Sequence, residues 1–420
     1  MKIVIKLGSH RHRRILLLLL CCLPFFSPEG LGFTGASMIL GWFKRLQSIA
    51  FVAMLIYELY YYVKHLSSFK QYQYLKRLSM FGLVGLMSLL QIFSTHINDG
   101  DMTTALQRIY VMMSAYMITE IFIIMDAKAS LEALTYIFTA AAVINLVVVI
   151  LFYDRMGFRE QGDYWLFGQK NAMRNIVVPS ITFSAILDRI RRKKYSFRTI
   201  YLMITGVLVL ILVDSSASVA IIALFAALLL YLNVSDFELL NLKTIAVIYV
   251  ILEIIVVFMR RINIFSSIIE SLLNRDATLT NRTFIWDAAM KVIKTHFVFG
   301  DGLRTLEDSK LVVGSFQASH AHNALLDILM KCGIVGAVLL VLIVCRCMRQ
   351  QFKMKQSALG AILGMTLGAF LIAGIVGELW NFGFYIILFT MYYLPETAKQ
   401  VEIGNIYTKK RTIRLKLTRD

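Results

Sequence analysis

The sequence predicts an all-α polytopic membrane protein with about twelve transmembrane helices and one long extracytoplasmic loop, and three observations carry that prediction. Hydrophobic residues make up 58% of the 420 residues. Mean hydropathy is +0.68, and only four prolines interrupt the chain. A soluble domain of this length is far less apolar. Lipid offers no partner to an unpaired backbone group, so crossing ~30 Å of hydrocarbon takes roughly 20 apolar residues in a helix.

Taken in order, candidate spans fall at 15–42, 48–63, 78–94, 103–124, 131–152, 171–187, 199–213, 216–234, 243–259, 323–344, 357–377 and 382–395. The first contains "PFFSPEG", where Pro24, Pro28 and Gly30 unwind or kink a helix. It is preceded by "MKIVIKLGSHRHRR", the basic start of a signal peptide, but no small-residue cleavage site follows, so a retained first helix is expected. Only "DSSAS" divides 199–213 from 216–234. The chain then groups into membrane helices over 1–259, an extracytoplasmic loop over 260–322, membrane helices over 323–395 and a basic cytoplasmic tail over 396–420.

Basic loops stay on the cytoplasmic side, which sets the orientation. With the N-terminus inside, "KIVIKLGSHRHRR", "KHLSSFKQYQYLKR", "DRIRRKKYSFR", "CRCMRQQFKMK" and the tail "TKKRTIRLKLTRD" all fall inside, and both termini are cytoplasmic. Lys44 and Arg45 oppose the rule. The net charge of +18 is therefore spread over loops beside anionic headgroups, which argues against a nucleic-acid partner. The five cysteines fall in spans or at a cytoplasmic edge, where disulfides are not expected, and their spacing suits no metal site.

One loop stands apart. In "NRTFIWDAAMKVIKTHF", Phe284, Ile285, Ala288, Ala289, Val292 and Ile293 recur at helical spacing opposite Asp287, Lys291 and Lys294. An amphipathic helix on or near the outer membrane face is expected, followed by the glycine turn "FGDGL". This loop and "DRMGFREQGDYWLFGQKNAMRN" concentrate outward cations. Arg159, Arg275 and Arg304 read as solvated loop charge, whereas Arg174 and Arg282, beside a span and an amphipathic helix, suit a polyanion, with Lys170 near the first.

"SHAHNALLDILMKCGIVG" opens the tenth span at its outer end. His322 precedes Gly333 by eleven residues, close to three turns, and Gly336 lies one turn further, so all three are expected on one stripe with Leu325, Leu326 and Leu329. Glycines there let another helix approach. A helix N-terminus favours an anion, and a titratable imidazole facing a cationic loop suits a general base acting on a phosphorylated, lipid-linked substrate; a membrane-interface histidine without a catalytic task is the plainer alternative. Lys331 projects oppositely and calls for a partner such as Glu253 or Glu120.

The run His322, Asn323, nine residues, Gly333, two residues, Gly336 resembles the H-[NSQ]-x9-G-x2-[GTY] pattern of the O-antigen ligase and O-antigen polymerase superfamily. "NRTFIWDAAMKVIKTHFVFGDGL" is similar to that family's arginine, tryptophan, amphipathic helix and glycine turn, and "LFGQKNAMRN" to the start of a mid-chain span in capsule and exopolysaccharide polymerases. The resemblance implies a GT-C-like glycosyltransferase of the bacterial cytoplasmic membrane, without metal or cofactor, whose donor is an undecaprenyl-diphosphate-linked oligosaccharide. His322 would then be the catalytic base or assist at the diphosphate, Arg282, Arg174 and Lys170 would bind the diphosphate, and Asn323, Gly333 and Gly336 would pack the motif. A flippase and a chain-length regulator of the same pathway are implied partners. The family often has Ser-Arg where this chain has "DSSAS", and "GDG" is more polar than the usual turn, so no role for Asp301 is carried over.

Polymerase and ligase share this architecture and differ in acceptor. The basic, tyrosine-rich cytoplasmic segments and the "GQKN" start lean by likeness towards a polymerase. Intramembrane Arg108, Glu120, Glu253 and Lys331 keep a transporter or lipid-linked-sugar flippase open, although no repeat of two halves is visible.

Overall fold

The computed structural model describes residues 10–65, 72–159, 162–258, 282–313, 316–354 and 357–397. Arg275 lies outside them. The described residues contain twelve α-helices: α1 His10–Cys22, α2 Ser37–Lys64, α3 Tyr72–Ile97, α4 Met102–Leu151, α5 Arg174–Arg192, α6 Phe197–Leu212, α7 Ser216–Ser235, α8 Leu242–Glu253, α9 Arg282–Thr295, α10 Ala324–Gln351, α11 Ala358–Ile375 and α12 Phe382–Tyr393. Strands are confined to the connections. β1 Gly157–Arg159, β2 Gly162–Trp165 and β3 Gly168–Gln169 form a small antiparallel sheet, with Gly157 opposite Tyr164 and Tyr164 opposite Gln169; β4 Leu311–Val313 pairs with β5 Phe316–Ala318.

The chain is an all-α polytopic membrane protein, with seven described helices long and apolar enough to cross a bilayer. Of the twelve expected spans, those at α6 and α8 form helices shorter than 18 residues, and two further features account for the rest of the difference from seven. First, α4 is 50 residues long, ~75 Å at 1.5 Å per residue, more than twice the hydrocarbon thickness. Asp126 breaks it with non-helical backbone, and its carboxylate accepts from Ala129 N–H at 3.0 Å, capping a second helix; two spans are joined without a loop. Second, some expected spans are helices of the interior: all twelve residues of α12 are buried, though it is only ~18 Å long. In contrast, α2 and α6 expose Ile49, Ile56 and Ile204 to the surrounding medium, as lipid-facing helices do.

The first span requires a correction. The expected stretch 15–42 ends as helix at Cys22; 3-10 turns at Leu23–Phe25 and Glu29–Phe33 follow, and residues 37–42 already belong to α2. Pro24, Pro28 and Gly30 cause the break as expected. Gly30 also has a packing role: it lies against the backbone of Trp165 and Leu166 and donates its N–H to the Leu166 carbonyl at 3.0 Å.

Many charged side chains at one end of the bundle are paired across helices. Arg11 from α1 and Arg191 from α5 both meet Glu132, Arg14 meets Asp126 at 3.3 Å, and Arg189 meets Asp236 at 2.7 Å. Near the start of α4, ~27 Å along it from Asp126, Arg108 begins the site described below.

Candidate functional site

The site is organised by an interruption in α10. Gly333 has φ +63° and ψ −165°, a conformation open essentially to glycine alone, and it divides α10 into a short Ala324–Cys332 arm and a longer C-terminal part. Such a break leaves backbone groups unpaired in an apolar interior, where each is costly. The turn after α9 satisfies them. Asp301 N–H donates to the Met330 carbonyl at 2.7 Å and Gly302 N–H to the Lys331 carbonyl at 3.1 Å, while Ile334 and Val335 N–H donate to the carbonyls of Phe297 and Val298 at 2.8 and 3.2 Å. "FGDGL" and the glycines of the histidine motif are thus two halves of one backbone joint. A stripe of glycines admitting a neighbouring helix was expected; at Gly333 it is a loop backbone that approaches, and Gly336 sits against Cys332 with Leu90 of α3 nearby. Gly333→Ala is expected to destabilise the protein by about 1–3 kcal/mol from backbone strain alone, more with the steric contact on Val298, measurable as a lowered unfolding midpoint in detergent.

The helical arm begins at Asn323. Its Oδ1 accepts from Leu326 N–H at 2.8 Å, a side-chain N-cap, while its Nδ2 donates to Glu253 at 2.6 Å and to the Ile375 carbonyl at 3.1 Å. Asparagine suits the position because it accepts and donates at once, tying α10 to the ends of α8 and α11. His322 therefore lies outside the helix, and the stripe expected to carry it together with Gly333 and Gly336 does not exist. Its backbone is left-handed, φ +50°, unusual for a residue with a Cβ. Such conformations persist where surrounding structure enforces them, and they concentrate at functional sites.

Asp327 supplies much of that enforcement. Fully buried, it accepts from Lys331 Nζ at 2.8 Å, Trp380 Nε1 at 3.0 Å and the backbone N–H of Ala321 at 3.1 Å. Lys331 is thereby paired within its own helix, not with Glu253 or Glu120. Glu253 instead holds Asn323, and Glu120 accepts from Tyr62 and Tyr393, each at 2.8 Å.

His320 is more than a neighbour in sequence. Its ring centroid lies 4.0 Å from that of His322, and its Nδ1 accepts the His322 backbone N–H at 3.2 Å. Burial lowers both imidazoles from their ordinary value; for His322 the neighbouring His320, Arg282 and Arg174 add to the effect and hold it well below. His322 is therefore neutral at physiological pH and free to accept a proton.

Two of the expected cations converge here. Arg174, the first residue of α5, is 3% exposed; its Nη2 reaches the Glu378 carbonyl at 3.5 Å, its Nε has no hydrogen-bond partner, and its guanidinium lies on Gly377. Arg282, the first residue of α9, lies within electrostatic reach of both Arg174 and His322. Lys170 is held elsewhere: it sits in a 3-10 turn with Nζ 3.7 Å from Asp214. Arg304 is bound to Asp301 at 2.7 Å and to the Asn98 carbonyl at 2.7 Å, and Asp301 also receives Lys310. It stabilises the glycine turn and does not face the histidines.

Sequence reasoning missed the partner of Arg108. Glu378, between α11 and α12, accepts from Arg108 Nη2 at 2.7 Å, and Arg108 Nη1 also reaches the Trp380 carbonyl at 3.3 Å. Burial pushes the Glu378 carboxyl up, but Arg108, His320 and Lys331 outweigh it and hold the group well below the usual carboxylate range. The sequence cue was slight: Asp327 and Lys331 stand at i,i+4 spacing, but only the fold brings "GELWN" to Arg108.

Helix α9 also differs from expectation. Its buried face is Ile285, Trp286, Ala289, Val292 and Ile293, packed with Leu311 and Ala318 of the β4–β5 hairpin and Leu326 and Met330 of α10, while Phe284 is exposed. The helix is anchored on the arm that carries the histidines, which fixes Arg282 relative to them.

Fold and site together define a multi-pass membrane protein with a neutral histidine, two arginines and a carboxylate gathered at the start of an interrupted helix. The family described as O-antigen ligase matches residues 200–341, which run from α6 into α10 and include Arg282, the glycine turn and His322. That match supports the O-antigen ligase and polymerase superfamily, a family of glycosyl-transferring membrane enzymes. No curated protein matches the chain.

Proposed function

We propose that the protein is a polysaccharide polymerase of the bacterial cytoplasmic membrane, joining undecaprenyl-diphosphate-linked oligosaccharide repeat units at its outer face, in capsule, exopolysaccharide or O-antigen synthesis. The observation that carries this reading is the convergence of neutral His322 with Arg174 and Arg282 at the N-terminal end of the α10 arm. In the reaction, His322 takes the proton of the acceptor sugar hydroxyl as its oxygen bonds to the anomeric carbon of the donor. The bond from that carbon to the diphosphate oxygen breaks, and its electron pair leaves with undecaprenyl diphosphate. Arg174 and Arg282 bind the diphosphate and offset the charge that develops on it. The unpartnered Nε of Arg174 supports that role, since a buried guanidinium N–H calls for an acceptor. The GT-C-like reading, with no metal required, rests on the resemblance of the histidine motif to the O-antigen ligase and polymerase superfamily.

Acceptor choice separates polymerase from ligase. In bilayer vesicles supplied with lipid-linked repeat units alone, longer lipid-linked glycans are the polymerase result; transfer only when a different lipid acceptor is added is the ligase result. The broken helix at Gly333 favours a second reading, because transporters build substrate sites from interrupted helices. Substrate counterflow across sealed vesicles without new glycosidic bonds would select it.

The lowered His322 pKa fixes the pH dependence. The base form persists below the ordinary histidine value of about 6.5, so kcat/KM is expected to stay level as pH falls through 6.5 and to drop only at lower pH. A profile half-lost near 6.5 would contradict a buried, cation-flanked base.

A further inference from the structure

The charges that meet at Glu132 do not balance. Its Oε2 accepts from Arg11 Nη2 of α1 at 2.5 Å and its Oε1 from Arg191 Nη2 of α5, so one carboxylate serves two guanidinium groups. Asp126 and Asp236 are taken by Arg14 and Arg189, and among the described residues no second carboxylate pairs with Arg11 or Arg191. One positive charge is left over. Arg13 and Arg192, next to Arg14 and Arg191 in the chain, are exposed and add to it. The two arginines come from "SHRHRR" and "DRIRRKKYSFR", segments that the basic-loop rule places on one side of the membrane.

The pair is both open and prearranged. The Glu132 side chain is 5% exposed, whereas those of Arg11 and Arg191 are 41% and 39% exposed, so a covered carboxylate orders two partly open guanidinium groups. Ordering long side chains costs entropy, and a ligand that meets them already ordered avoids most of that loss. The same face of α4 continues into lipid. With 3.6 residues per turn, Tyr136, Ala140, Val143, Val147 and Ile150 follow Glu132 on one stripe, and all five are exposed. The stripe runs ~21 Å, longer than one leaflet of a ~30 Å hydrocarbon core. Guanidinium groups donate in pairs to phosphate oxygens. A free phosphate would leave the stripe unused, and a zwitterionic headgroup would leave the extra charge unmatched. An anionic phospholipid answers both.

We propose that Arg11 and Arg191 bind the phosphate of an anionic phospholipid whose acyl chains lie along the Tyr136–Ile150 stripe of α4. The site is separate from the histidine centre and does not depend on the glycan-transfer reading.

The test uses the full-length protein in non-ionic detergent, with native mass spectrometry of retained lipid. Phosphatidylglycerol is expected to bind about fivefold more tightly than phosphatidylethanolamine of the same acyl chains, the ratio for one elementary charge beside an anionic headgroup. Two variants distinguish a lipid site from an ion pair that only holds helices together, because they move the preference in opposite directions. Arg191→Gln removes the extra charge and is expected to abolish the preference, whereas Glu132→Gln frees a second charge and is expected to raise it about fivefold. Lys243→Gln, which removes an equal charge from the exposed start of α8, is expected to leave it unchanged. No preference in the parent protein, an unchanged preference in Arg191→Gln, a lowered one in Glu132→Gln, or an equal loss in Lys243→Gln would overturn the proposal. If Glu132→Gln does not fold, the comparison of Arg191→Gln with Lys243→Gln decides.

Discussion

Replacing His322 by alanine is expected to lower the rate of glycan transfer about a thousandfold, within the range by which a positioned general base accelerates proton transfer. His322 lies in a loop ahead of the helix with its ring tilted against that of His320, and the cap of α10 belongs to Asn323, so alanine removes ring contacts and leaves the helix start in place. His322→Ala is therefore expected to lower the thermal unfolding midpoint by no more than a few degrees, since the left-handed backbone at this residue costs alanine about 1 kcal/mol. His320→Ala separates the two histidines. It removes the acceptor for the His322 N–H and a like-charge neighbour, so a smaller loss of rate is expected, together with an acid limb moved towards higher pH. Measured initial rates of chain elongation at saturating donor, paired with circular dichroism, check both variants.

The largest expected effect on stability is at Asp327. Removing its carboxylate strands the Lys331 ammonium, 9% exposed and deep in α10, and frees the N–H groups of Trp380 and Ala321. Breaking a buried pair by deleting one partner costs about 3–5 kcal/mol, because the surviving charge is left without compensation. Asp327→Ala is expected to show a loss of that size in detergent unfolding. Adding Lys331→Met to that variant is expected to recover about half of it, since the stranded charge disappears while the two N–H groups stay unpaired. No recovery in the double variant would mean that Asp327 acts through the Trp380 and Ala321 contacts alone. Asp327→Ala is also expected to slow transfer, because the Ala321 contact is what ties the histidine loop to the helix arm.

The sequence made much of this site legible, and the limits have physical causes. Spacing links His322, Gly333 and Gly336, the resemblance of the motif adds Asn323, and Arg174 and Arg282 stand out by their positions beside a span and a helix. What the spacing concealed was conformation. Counting three turns from His322 to Gly333 assumes a continuous helix, whereas Asn323 caps the helix one residue after His322 and Gly333 interrupts it. Both devices are local backbone choices that a periodicity argument smooths over. The pairing of Arg108 with Glu378 was hidden for a different reason: 270 residues separate them, and nothing in the sequence of α4 names its partner. Lys331 calls for a partner, and Glu253 or Glu120 is the expected one, but it meets the nearer Asp327 and leaves Glu253 to Asn323.

Span counting shows the same contrast. Asp126 divides α4 where two spans were expected, because an aspartate can cap the helix that follows it. The short α12 read as a span because every residue is apolar or small, yet its complete burial shows that it faces protein on all sides. Composition identifies a helix that avoids water and cannot tell lipid from a protein interior.

The account rests on His322 acting as a neutral base between two arginines on a lipid-diphosphate-linked glycan. The most direct measurement supplies purified protein in vesicles of bacterial lipid with an undecaprenyl-diphosphate-linked repeat unit as the sole glycan, and resolves the products by size. A ladder of longer glycans from the parent protein, lost in His322→Ala, is the expected result. A ladder undiminished in His322→Ala, or no elongation by the parent protein without a second protein, would contradict it.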